Sequence, residues 1–173
     1  FDHAIANLVE GVTYNAGQSC CAVERIYVEE SIYDAFLEAF VETFHQERLG
    51  SPLEEATSIG PLVDKLAVGR VDAQVQQALA MGARQLTSDA RFPYRNPEGS
   101  YAIPRVLSQV HHGMKLMRDE SFGPIVGIMK VSSDKEALQY MNDNRYGLSA
   151  SIWTQDQARA QAIAEQLSFG TVF

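Results

Sequence analysis

"IVGIMKVSSDKEALQYMNDNRYGLSASIWTQDQARAQAIAEQLSFGTVF", Ile125 to Phe173, decides the fold class. It opens on a β-branched apolar run at 125 to 131 and passes into the helical composition of "DKEALQYMND", which has an acidic first turn. A strand pattern returns in "LSASIWT" at 148 to 154, a second helix follows in "DQARAQAIAEQL", and the stretch closes on the strand-like "TVF". Strands joined through helices need right-handed crossovers, which lay the strands parallel. A parallel sheet must be covered by helices on its faces. The expected fold is therefore α/β, three-layer α/β/α around a mostly parallel sheet.

The sequence before Ile125 adds elements of both kinds. In "SIYDAFLEAFVETFHQERLG" the apolar residues Ile32, Phe36, Phe40, Val41 and Phe44 keep one helical face, with Ser31 and Asp34 as a capping pair and Gly50 as the stop. A second helix is predicted from about Asp64 to Ala80, with Val68, Val71, Val75 and Leu79 on one stripe and Gly82 beyond its end. Short strands are expected at 25 to 28, 84 to 88 and 101 to 107, and "DARFPYRNPEGS" at 89 to 100 reads as a surface loop. All 173 residues fit one domain.

Composition narrows the partners. Acidic residues outnumber basic ones 22 to 14, a formal charge of -8 that repels phosphate backbones and argues against nucleic acid. No apolar run approaches the roughly 20 residues of a membrane span, and the N-terminus lacks the layout of a secretory signal. The two cysteines, Cys20 and Cys21, are sequence neighbours, too close for a relaxed disulfide. Two free thiols fit a reducing compartment, the cytosol or an organelle matrix. His111 and His112 lie at no metal-ligand spacing and read as a solvent-facing pair, so no metal is expected. Neither a glycine-rich dinucleotide fingerprint nor a Walker lysine occurs.

"YNAGQSCCAVER", Tyr14 to Arg25, holds the chemistry. Gly17 lets the backbone bend tightly, and amides near such a bend can point at a developing oxyanion, so a cysteine there suits nucleophilic work. The thiolate is the reactive form. Two small side chains in an apolar setting would fit the same residues, and the residues alone leave both readings open.

The segment resembles the nucleophile motif of the aldehyde dehydrogenase superfamily, in which Gly-Gln-x-Cys carries the catalytic thiol. "RDESFGPIVGIMKV" is similar to that family's Glu-x-Phe-Gly-Pro motif, and the order and spacing of the two motifs agree. Weaker likenesses, in "IGPLVDKLAVGRV", "YAIPRVL" and "MNDNRYGLSASIWT", extend the resemblance over the whole chain. It departs at Thr13, where the family usually has an apolar side chain, and at Arg105, where it usually has Thr.

The resemblance implies that Cys20 is the nucleophile and Cys21 a small packing neighbour, that Glu120 binds the nicotinamide ribose hydroxyls, and that Phe122 packs beside the nicotinamide end. It implies NAD or NADP as cofactor, a small-molecule aldehyde as substrate, and a homo-oligomer. Cys20 would attack the aldehyde, pass hydride to the cofactor, and leave a thioester that water resolves to a carboxylic acid. In the family the general base, the oxyanion asparagine and the NAD(P)-binding domain precede the nucleophile. The chain is therefore expected to be a thiol-bearing catalytic domain without its cofactor domain, and inactive alone. Resolution of the thioester by coenzyme A, acyl-phosphate reduction, and a scaffold that has lost the reaction are the rival readings.

Overall fold

The computed structural model describes residues 1–94 and 96–173. The strand run at the centre of the prediction is present with the predicted bounds, as β4 (Ile125–Val131). It is one of the two inner strands of a four-stranded sheet ordered β1-β4-β3-β2, with β1 at Arg25–Glu29, β2 at Arg84–Gln85 and β3 at Arg105–Ser108. β1 and β3 both run parallel to β4, with Arg25 and Arg105 opposite Gly127 and Ile125, and only the edge strand β2 is antiparallel. Ile125, Val126, Gly127 and Ile128 are all buried, so both faces of β4 are covered, as a parallel sheet requires.

Helices supply the cover. On α1 (Asp2–Thr13), Ile5, Leu8, Val9 and Val12 form one buried face. It packs against α2 (Tyr33–Phe44), whose Phe36, Phe40 and Phe44 recur every four residues and stack with ring centroids 5.7 and 5.9 Å apart. α3 (Lys65–Ala80) is capped by the Asp64 carboxylate, which accepts from the Ala67 N–H at 2.6 Å. It buries Ala67, Val71, Gln74, Val75 and Ala78.

α4 (Asp134–Asn142) and α5 (Gln157–Ala164) bury no residue fully. A bidentate pair between Arg159 and Asp134, at 2.7 and 2.5 Å, ties one to the other. β5 (Ser149–Ala150) and β6 (Thr171–Val172) form a separate parallel pair. The predicted alternation of strand, helix, strand, helix and strand is there, but the last two strands pair only with each other and do not join the main sheet.

Several expectations are corrected. α2 ends at Phe44 rather than near Gly50, whose N–H instead bonds the Ile59 carbonyl at 3.0 Å. Ile32, 45% exposed, is not on the buried stripe, and Ser31 bonds the Glu29 carboxylate instead of capping. Val68 and Leu79 of the α3 stripe are only partly buried, and Ala67, Gln74 and Ala78 take those places. The strands predicted at 84 to 88, 101 to 107 and 148 to 154 shorten to two, four and two residues. α1 was not predicted. The loop reading for 89 to 100 includes a short 3-10 turn at Asp89–Arg91, and its Arg95 lies outside the described residues. Among the described residues, no helix is long and apolar enough to cross a membrane.

Candidate active site

Cys20 follows a left-handed bend. Asn15, Ala16 and Gly17 have φ of 50°, 56° and 74°, and the first two are not glycine. Such residues cost of order 1 kcal/mol each and persist only where their surroundings hold them. Here Asn15 and Gln18 clasp each other: the Asn15 amide donates to the Gln18 carbonyl at 3.2 Å, and the Gln18 amide donates to the Asn15 carbonyl at 3.1 Å. Gln18 also spans to the segment before α3, donating to the Pro61 carbonyl at 3.2 Å and accepting from the Val63 N–H at 2.8 Å.

The second motif meets the first through backbone. A Cβ at Gly17 would overlap the carbonyl oxygen of Gly123, and a Cβ at Gly123 would overlap Val71 of α3. Four residues beyond Cys20, the Glu24 carboxylate accepts from the N–H groups of Ser121 at 2.8 Å and Phe122 at 3.1 Å. Contacts on both sides of the thiol therefore reach residues 121 to 123. Sheet register does the rest. Arg25 pairs with Gly127, and Cys20 and Phe122 each lie five residues before a member of that pair.

Cys20 and Cys21 are both free and exposed. Cys21 is not packed in an apolar setting: its Sγ lies 3.2 Å from the Ser19 Oγ. Among the described residues, none accepts a hydrogen bond from the Cys20 backbone N–H, which leaves that donor available to an oxyanion beside the thiol. Glu120 is exposed, and its carboxylate accepts no hydrogen bond from the described residues. Phe122 has φ 46° and stands 38% exposed. It lines a cleft of about 510 Å³ with Asn15, Gln18, Leu62, Ala67 and Arg70.

Glu24 was missed by sequence reasoning. Burial pushes its carboxyl above the ordinary value, with Glu120 adding to the rise and the Phe122 and Ser121 amides and Arg25 opposing it. Gln74 was missed as well. The two departures noted in the sequence are accommodated. Thr13 is buried with its hydroxyl donating to the Val9 carbonyl at 2.9 Å, and Arg105 bonds Asp72 at 2.8 Å and Asp89 at 3.0 and 3.2 Å. His112 does not face solvent with His111. Its Nε2 lies 2.8 Å from the Tyr27 hydroxyl and its Nδ1 lies 3.3 Å from Asp143.

The model of the aldehyde dehydrogenase family matches residues 1–173. The chain belongs to the aldehyde dehydrogenase family. It is 34% identical to the mitochondrial aldehyde dehydrogenase X of Bos taurus, over 99% of this chain and 33% of that protein. It is also 34% identical to the D-glyceraldehyde dehydrogenase (NADP(+)) of Thermoplasma acidophilum, over 99% of this chain and 35% of that one. The crystal structure of an aldehyde dehydrogenase from Physcomitrella patens, solved with the reaction product succinate, superposes with a TM-score of 0.90 at 34% identity, covering the whole of this chain and 35% of that one. The chain thus spans about a third of the length of the family members it matches.

Proposed function

We propose that residues 1–173 form the thiol-bearing catalytic domain of an NAD(P)-dependent aldehyde dehydrogenase, with Cys20 as nucleophile and Glu120 and Phe122 on the cofactor side. The observation that carries this reading is the joining of the two motifs. An exposed thiol just after a left-handed bend is held, by contacts on both sides of it, against the segment that presents an exposed carboxylate and a half-exposed aromatic ring.

Each residue then has a physical task. The Cys20 thiolate adds to the aldehyde carbon, and the Cys20 N–H stabilises the oxygen that becomes negative. Glu120 fits a pair of ribose hydroxyls because an ionised carboxylate offers acceptors only. Phe122 supplies an aromatic face at the edge of the cleft, where a flat heteroaromatic ring can rest. A nicotinamide dinucleotide, when bound there, supplies the hydride acceptor. The acyl group left on Cys20 as a thioester is released by water as a carboxylic acid, through a general base that we assign to no residue of this chain.

The test uses the full-length protein carrying this chain. Aldehyde-dependent reduction of NAD or NADP is measured for wild type, Cys20→Ser and Cys21→Ser, with the organic product identified. Loss of turnover by orders of magnitude in Cys20→Ser alone, with a free carboxylic acid as product, is the expected result. A Cys20→Ser protein that keeps its rate removes the proposal, and a coenzyme A thioester as product replaces water with a thiol acceptor.

A further inference from the structure

The segment of residues 120 to 122 is captured from two rigid elements at once. Glu24 stands directly before β1, and one of its oxygens receives both the Ser121 N–H at 2.8 Å and the Phe122 N–H at 3.1 Å. Gln74 stands on α3 and is 9% exposed. Its amide donates to the Glu120 carbonyl at 3.0 Å, and its carbonyl oxygen accepts from the Ser121 hydroxyl at 2.7 Å. Arg25 steadies the arrangement from the β1 side. One of its nitrogens lies 3.7 Å from the other Glu24 oxygen, and another donates to the Met117 carbonyl at 3.1 Å.

These four bonds engage three backbone groups and the Ser121 hydroxyl and leave two side chains out of the network. The Glu120 carboxylate and the Phe122 ring are both exposed, one accepting no hydrogen bond from the described residues and the other lining the cleft. A loop that needed only its own polar groups satisfied could reach the same end with both side chains turned inward. Phe122, moreover, is held at φ 46°, where a bulky side chain is unfavourable unless the surroundings impose it. Two adjacent N–H groups converging on one buried carboxylate are what impose it.

We propose that Glu24 and Gln74 form a clamp that fixes where Glu120 and Phe122 stand for the dinucleotide, which makes both of them positioning residues. This deepens the functional reading above and rests on it. Neither residue touches the reacting atoms. They act by removing freedom from the two that face the cofactor, so their loss weakens dinucleotide binding more than it alters the thiol.

The experiment compares Glu24→Ala, Glu24→Gln, Gln74→Met and wild type in the full-length protein. Three quantities are read: the dissociation constant for NAD or NADP by equilibrium binding, hydrogen exchange at the Ser121 and Phe122 amides, and the rate of Cys20 alkylation by iodoacetamide. Glu24→Gln keeps an acceptor of the same reach and should stay within about threefold of wild type in binding. Glu24→Ala and Gln74→Met should weaken binding about tenfold or more, with Cys20 alkylation nearly unchanged. The two amides should lose protection in Glu24→Ala and keep it in Glu24→Gln. Folded Glu24→Ala protein that binds the dinucleotide as wild type does overturns the clamp while leaving the functional reading intact. Wild-type protein that binds no dinucleotide overturns that reading, and with it the clamp's purpose.

Discussion

Gly17→Ala tests the joint between the two motifs most directly. An L residue at φ 74° costs about 1–2 kcal/mol in backbone conformation. The added Cβ would also overlap the Gly123 carbonyl oxygen and lie 3.1 Å from the Pro124 nitrogen. Gly123 is itself crowded, because fully buried Val71 occupies the place that a Cβ there would take. Overpacking of this kind adds about 1–3 kcal/mol, for a total near 2–5 kcal/mol. Relief must come from moving the bend that carries Cys20 by roughly 1 Å, a misplacement that costs about 100-fold in rate.

Gly82→Ala separates the two contributions. Gly82 also has a left-handed φ, 101°, yet nothing lies within 4 Å of where its Cβ would be. It should lose the conformational 1–2 kcal/mol or so and keep wild-type thiol reactivity. Urea denaturation gives the stabilities, and iodoacetamide labelling with peptide mapping gives the Cys20 rate. Equal destabilisation of the two variants, with Cys20 in Gly17→Ala labelling as in wild type, would refute the argument that backbone contact between the motifs sets the position of Cys20.

Three further predictions follow from local chemistry. Gly69 sits inside α3 with nothing within 4 Å, so Gly69→Ala should stabilise the protein by about 0.5–1 kcal/mol, seen as a higher urea midpoint. Ser133 caps α4 by accepting from the Glu136 N–H at 3.3 Å, while the Glu136 carboxylate returns to the Ser132 N–H and hydroxyl at 2.7 Å; Ser133→Ala should cost about 1 kcal/mol by the same measurement. Burial holds His112 below its ordinary value of 6.5, outweighing Asp143, with Arg25 and Arg118 assisting and Tyr27 and Tyr140 packed alongside. The unfolded chain then binds more protons between 6.5 and the lowered folded value, so stability falls as pH drops through that window. His112→Gln should flatten this part of the profile, and an unchanged slope between pH 7 and 5 would count against it.

What the sequence made legible was whatever its local pattern determined. β4 is an apolar run broken only by exposed Lys130 and bounded by Pro124 and Ser132, and its bounds could be read directly. α1 carries Ile5, Leu8, Val9 and Val12 at helical spacing, but Phe1 at its cap makes no side-chain bond and Gly11 interrupts the pattern, so no start signal announced it. The strand predicted at 101 to 107 begins late because Pro104, directly before Arg105, has no N–H to give a neighbouring strand. Cys20, Glu120 and Phe122 could be proposed from the sequence because their motifs are compact. Glu24 and Gln74 were not, since their partners lie 97 and 98 residues away in one case and 46 and 47 in the other. Both look in sequence like ordinary polar residues.

The location of the site follows from the sheet rather than from either motif alone. In open α/β sheets ligands usually gather at the carboxyl ends of parallel strands. Here the thiol precedes β1 and the Glu120 to Pro124 segment precedes β4, so the proposed site lies at the amino ends. Because β1 and β4 are adjacent and parallel, whatever enters one strand must approach whatever enters the other. With Arg25 opposite Gly127, the segment entering β1 runs beside the segment entering β4, where Glu24 bonds the Ser121 and Phe122 amides. A slip of one residue would exchange the faces of every side chain in β1 and undo the burial of Ile26 and Val28, which are 7% and 5% exposed. The hydrophobic alternation of a five-residue strand therefore sets the relation between the segment that carries Cys20 and the segment that carries Glu120 and Phe122, the proposed nucleophile and cofactor side. The glycines at 17 and 123 then allow the two backbones to close the remaining gap.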